Sequence, residues 1–132
     1  FSLAQNLLDW MQDSKADYTR TFRDLTQENI PKNEVYNSPE FQKWLMLWKA
    51  RLTRNPKSLK TSFCLMSDSN PVIIPNNYYV EEVLAAGEEG DLKPFLVLLE
   101  ALKNPFKETL SNQAYRDPTI KPDPNYKTFC GT

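Results

Sequence analysis

The chain of 132 residues contains no histidine. That absence removes the side chain whose ordinary pKa suits proton transfer near neutral pH, and with it the commonest metal ligand. Ser/His/Asp and Cys/His catalysis are both excluded within these residues. Glycine is almost as scarce: there are three, and none lies in a Gly-rich phosphate cradle of the dinucleotide or P-loop kind. Two cysteines, Cys64 and Cys130, are too few to identify a disulfide scaffold. No apolar run approaches the roughly 20 residues a membrane helix needs, and no signal-peptide pattern opens the chain. The expectation is a soluble piece of protein with no membrane partner.

Sixteen Lys and Arg stand against 17 Asp and Glu, a net charge of -1, which gives no global attraction to nucleic acid. The composition is 40% hydrophobic and 12% aromatic, enough for a core in a single domain. The first residue is Phe1 and not methionine, and an amphipathic pattern is already running at Leu3. The simplest expectation is a piece of a longer polypeptide.

Hydrophobic spacing predicts helices throughout. Leu3, Leu7, Leu8 and Met11, with Trp10 beside them, predict a first helix over residues 2 to about 13. Asp17 is placed to cap a second, in which Tyr18, Phe22 and Leu25 repeat at i, i+4 and i+7. Ser38-Pro39-Glu40 is a helix start: a capping hydroxyl, proline at the first position and an acid in the first turn. Phe41, Trp44, Leu45, Trp48 and Leu52 trace one face of that helix to about Arg54, where Asn55-Pro56 stops it.

Residues 55–76 show no sustained period, although Phe63-Cys64-Leu65-Met66 suits a short buried turn or helix. Val80, Val83 and Leu84 mark a fourth helix ending near Gly90. Asp91 is expected to cap a fifth, with Leu92, Phe95, Leu96, Leu99 and Leu102 on one face. From Asn104 onward, Pro105, Pro118, Pro122 and Pro124 argue for an extended tail. The expected fold is all-α: about five helices in an irregular bundle over residues 1–103, then a Pro-rich tail over 104–132. No repeat is visible, so a solenoid is not expected.

Charge is unevenly placed. Lys43, Lys49, Arg51, Arg54, Lys57 and Lys60 fall between Phe41 and Ser67 with no acid among them, and only acids follow from Asp68 to Asp91. A basic helix carrying tryptophans is a nucleic-acid candidate. The better reading is a solvated face, because Trp44 and Trp48 lie on the core stripe and the acids sit close enough in sequence to neutralise the bases. Glu81, Glu82, Glu88 and Glu89 form the one carboxylate cluster, with no nucleophile or buried setting to make them catalytic. No catalytic, cofactor-binding or metal-ligating residue is therefore assigned. Cys64 is expected to be buried and inert. Cys130 is expected on a mobile end. Joining the two would close a long loop, worth about 4 kcal/mol in the chain-entropy picture.

Several stretches taken together carry a resemblance: Asn70-Pro71 through Pro75-Asn76-Asn77, Val80-Glu81-Glu82, Gly90-Asp91-Leu92, and the ending Thr128-Phe129-Cys130-Gly131-Thr132. With Asp17-Tyr18-Thr19-Arg20-Thr21-Phe22-Arg23 and the Trp44/Trp48 helix, they resemble the C-terminal region of the selenoprotein O family of kinase-like proteins. The resemblance covers most of this chain but only the last third or less of a family member. It implies a parent pseudokinase that binds ATP and magnesium and transfers AMP to hydroxyl groups of proteins, the residues for that chemistry lying upstream. It also implies that the present piece is structural, packs on the kinase-like domain of its own parent, and has no activity alone. Cys130 matches the position where relatives carry cysteine or selenocysteine, which makes it a redox candidate. Its partner thiol would lie in the kinase-like part. The family setting is cytoplasmic in bacteria and mitochondrial in eukaryotes. One position departs from the pattern: Asn76 stands where the family has arginine, exchanging a bidentate cation for a neutral amide. The alternative reading is a free-standing helical interaction module. Self-association through apolar surface near Leu3, Leu7 and Trp10 is a further expectation for the separate piece.

Overall fold

Residues 2–116 are described by the structure, a computed structural model. They form six α-helices: α1 (Ser2–Ser14), α2 (Tyr18–Asp24), α3 (Pro39–Thr53), α4 (Leu59–Ser69), α5 (Asn77–Glu88) and α6 (Lys93–Leu102). Short 3-10 turns occupy Val35–Asn37 and Gln113–Arg116, and no strand occurs among the described residues. The all-α expectation holds. The chain divides into two compact units, one ending at Pro71 and the other beginning at Val72.

The first unit is organised by aromatic burial. Leu7, Trp10 and Met11 of α1 meet Leu25, Tyr36, and Phe41 and Trp44 of α3 in one cluster. Phe41 has no exposed surface, and its ring lies 4.5 Å from Trp10, 4.8 Å from Tyr36 and 5.7 Å from Trp44. Tilted and offset pairs of this kind add about 0.5–1.5 kcal/mol each beyond their buried area. Both buried indoles find acceptors: Trp10 Nε1 donates to Ser38 Oγ at 3.1 Å and Trp44 Nε1 to the Leu3 carbonyl at 2.8 Å. Ser38 Oγ also accepts from the Phe41 amide, so one hydroxyl both caps α3 and receives α1. The Pro39 and Glu40 signals of the sequence are met as read. α1 ends on Lys15, held at φ 52°, with the Ala16 amide reaching the Met11 carbonyl. This is a left-handed helix end made without glycine.

α4 is a helix of 11 residues, longer than the short turn or helix suggested by its apolar run. Ser58 opens it, its side chain accepting from the Thr61 amide at 3.1 Å. Its most buried residue is Ser62, with Phe63 and Met66 half-buried beside it. A serine on the inward edge broke the apolar period. Cys64 is exposed, contrary to the expectation of burial, because it stands two positions and about 200° of helical rotation from Ser62.

In the second unit Asn76 caps α5, accepting from the Tyr78 amide at 2.9 Å. The helix closes at Gly90, whose φ of 86° is one that a side-chain-bearing residue rarely adopts. The Asp91 amide reaches back to the Ala86 carbonyl at 2.9 Å, and Asp91 Oδ1 accepts from the Lys93 amide at 3.0 Å. α6 is apolar on more than one face. It buries Leu98 and Ala101, while Leu92 (62% exposed), Phe95 (48%), Leu96 (59%) and Leu99 (43%) lie outward. Lys93 and Glu100 are its only charged residues, so apolar spacing could not select the packing face. Beyond α6, Asn112 is fully buried, donating to the Lys107 carbonyl and accepting from the Thr109 amide. Of the stretch expected to run as an extended tail, residues 104–116 hold turns and a 3-10 helix; 117–132 lie outside the described residues.

Candidate functional site

The most tightly held polar group lies under the Asp17–Arg23 motif. Asp17 Oδ1 accepts from the Arg20 amide at 2.6 Å and starts α2, which fixes the side chains that follow. One turn on, Asp24 is 2% exposed, a burial that a carboxylate tolerates only with partners. Tyr36 Oη donates to Asp24 Oδ2 at 2.9 Å. Arg20 Nε lies 3.0 Å from Oδ1 and 3.2 Å from Oδ2, with hydrogen-bond geometry to Oδ2. Burial pushes the Tyr36 phenol well above its ordinary pKa; a hydrogen bond with Thr21 opposes this, and the Asp24 charge adds to it. Arg23, on the same helix, donates to the Ser67 and Asn70 carbonyls at 3.1 Å each and so ties α2 to the end of α4. The sequence signalled this arrangement only through Arg20 and Asp24 at i and i+4. The role of Tyr36, from a separate loop, was not visible in it.

Asp24 Oδ1 accepts no hydrogen bond and is met by the Arg20 charge alone; together these contacts have the chemistry of a structural clasp. Two open grooves flank the same helices. One, of about 640 Å³, is lined by Leu3, Leu8, Tyr18, Phe22, Trp48 and Arg51 among others. The other, of about 630 Å³, includes Lys60, Phe63, Cys64 and Asp68. Of the residues expected to leave apolar surface bare, Leu3 and Leu7 line the first groove, and Leu7, like Trp10, is buried.

Glu81, Glu82 and Glu88 of α5 and Glu89 just past its end are all exposed. Glu82 Oε1 accepts from Tyr78 Oη at 2.9 Å, which raises the Tyr78 phenol. No three His, Cys, Asp or Glu side chains converge to hold a metal ion among the described residues. Lys43, Lys49, Arg51, Arg54, Lys57 and Lys60 form no ion pair among the described residues. Asn76 has a defined task as the α5 cap, one that an arginine side chain, which has no acceptor, cannot perform. Cys130 lies outside the described residues.

The family model described as protein adenylyltransferase SelO matches residues 2–103, from the first described residue to the end of α6. The chain belongs to the SelO protein adenylyltransferase family. The match takes in the Asp17–Arg23 motif, the aromatic face of α3 and the Gly90 turn. The chain is similar to proteins called protein nucleotidyltransferase YdiU: 46% identical over 132 residues to that of Alcanivorax borkumensis, and 43% over 132 residues to that of Bacillus anthracis. The identity to that of Clostridium beijerinckii is 45% over 131 residues. In each case 99% of this chain is covered but 27% of the relative. The chain thus spans about a quarter of the length of these SelO-family relatives. No helix among the described residues is long and apolar enough to cross a membrane.

Proposed function

We propose that this chain is a supporting helical piece of a longer SelO-family protein, and that the whole protein transfers AMP from ATP to hydroxyl groups of other proteins. The observation that carries this reading is the pairing of near-complete coverage of this chain with 27% coverage of its relatives. The residues present agree with a division of labour. Gly90 serves a helix turn, the α5 acids are exposed, and no ligating cluster converges among the described residues. We assign ATP and magnesium to the kinase-like remainder of the protein. There, positioning and charge neutralisation supply the chemistry of phosphoryl-group transfer. The 132 residues alone are inactive in this reading, and the setting is cytoplasmic.

The test uses the complete polypeptide and the 132-residue chain, each incubated with ATP labelled on its α-phosphate and a protein acceptor. The expected result is label on the acceptor from the complete polypeptide and none from the chain. Label transferred by the purified chain sinks the proposal; so does a reading frame holding nothing else, which favours a free-standing interaction module.

In the same reading Cys130 is a redox thiol that pairs with a cysteine of the kinase-like part. Thiol alkylation of the complete polypeptide should then find Cys130 protected under oxidising conditions and open after reduction. Equal labelling in both removes the role.

A further inference from the structure

α6 is apolar on opposite sides. Its inward side buries Leu98 and Ala101, with Pro94 and Leu102 half-buried next to them. Its outward side carries Leu92, Phe95, Leu96 and Leu99 at i, i+3, i+4 and i+7, a continuous stripe with no charged residue inside it. A water-facing helix keeps one polar side; a helix hydrophobic all round belongs between two layers. One of those layers is present and the other is missing among the described residues. Large exposed apolar stripes of this kind mark docking surfaces.

We propose that the Leu92–Phe95–Leu96–Leu99 face of α6 is the surface on which the rest of the longer polypeptide docks. The inference rests on the reading of this chain as part of a longer SelO-family protein. The occupant is argued from two observations. Nearly three-quarters of each relative's length lies outside the stretch that this chain matches, which is ample chain to supply a second layer. The α6 face also lies inside residues 2–103, the stretch the family shares, so it is part of the common architecture. Residues 117–132 suit the role poorly: the apolar residues Ile120, Tyr126 and Phe129 are spread among Pro118, Pro122 and Pro124 and do not form a stripe. A charged or nucleic-acid partner gains nothing from a surface with no charge in it.

Carbene footprinting of Phe95, Leu96 and Leu99 tests the assignment. The expected result is heavy labelling in the 132-residue chain at every dilution and several-fold less in the complete polypeptide. Equal labelling in the two overturns the proposal. Protection already present in the 132-residue chain also overturns it, and dilution then tells a second copy, whose protection fades, from residues 117–132, whose protection persists. Leu96→Glu supplies an independent arm, because an outward side chain can change without disturbing the chain's own core. The complete polypeptide carrying it should melt several degrees lower, while the 132-residue chain keeps its helical signal and melting point. No change in the complete polypeptide, or an equal loss in both, counts against docking. The footprint reads contact and not catalysis, so a polypeptide that transfers no AMP would refute the functional reading and leave this one standing.

Discussion

Asp24 shows at the residue scale how a buried charge is made tolerable. Its Oδ2 accepts from Tyr36, and Arg20 lies beside both oxygens. Tyr36→Phe keeps the ring in the aromatic cluster but leaves Oδ2 one donor short. The expected cost is about 1–3 kcal/mol, read from the urea midpoint at neutral pH. The same substitution has a pH signature. The folded-state phenol is raised, whereas an unfolded tyrosine titrates near pH 10. Its contribution is therefore complete below about pH 10 and is lost above it, where the unfolded chain sheds its proton first. Between pH 8 and pH 11 the wild type should lose more stability than Tyr36→Phe; parallel profiles would contradict the network. Little of this was legible in the sequence. The helical repeat picks out Tyr18, Phe22 and Leu25 and passes over Thr21 and Asp24, and nothing in a one-dimensional pattern brings Tyr36 from the next loop.

At the scale of elements, legibility followed the specificity of the local signal. Ser38-Pro39-Glu40 and Asp17 each state a helix start chemically, and both starts lie where the residues put them. α4 was read as no more than a short turn or helix because its innermost residue is Ser62, which apolar counting passes over. α6 was recognised as a helix, but period alone is silent on its packing side, since leucines surround it. Asn76 was recorded as a departure from the family pattern, and its local meaning came only with the structure. The side-chain oxygen holds the Tyr78 amide at the start of α5. Asn76→Arg, the residue that the resemblance leads one to expect there, removes that acceptor and should cost about 1 kcal/mol of stability. Thermal melts followed by circular dichroism at 222 nm check this; an unchanged or higher midpoint would show that the arginine finds compensating contacts.

For the whole molecule, the fold class and the family were legible and the division of burial was not. Seven buried hydrophobic residues form the aromatic cluster before Pro71, whereas Ile73, Leu98 and Ala101 are the buried hydrophobics described after Val72. Local opening is easiest where few apolar contacts resist it. Amide hydrogen exchange in the 132-residue chain should therefore be slowest in α1 and α3 and faster in α5 and α6. Uniform protection across all four would mean that the two units open together. Docking on the α6 face in the longer protein should slow exchange in α5 and α6. The three tryptophans add a practical consequence. Trp10, Trp44 and Trp48 all precede Pro71, and the last two lie with ring centres 5.7 Å apart. Indole emission therefore watches the first unit alone, and a fluorescence melt that looks complete says nothing of the half after Pro71, whose loss must be followed by another optical probe.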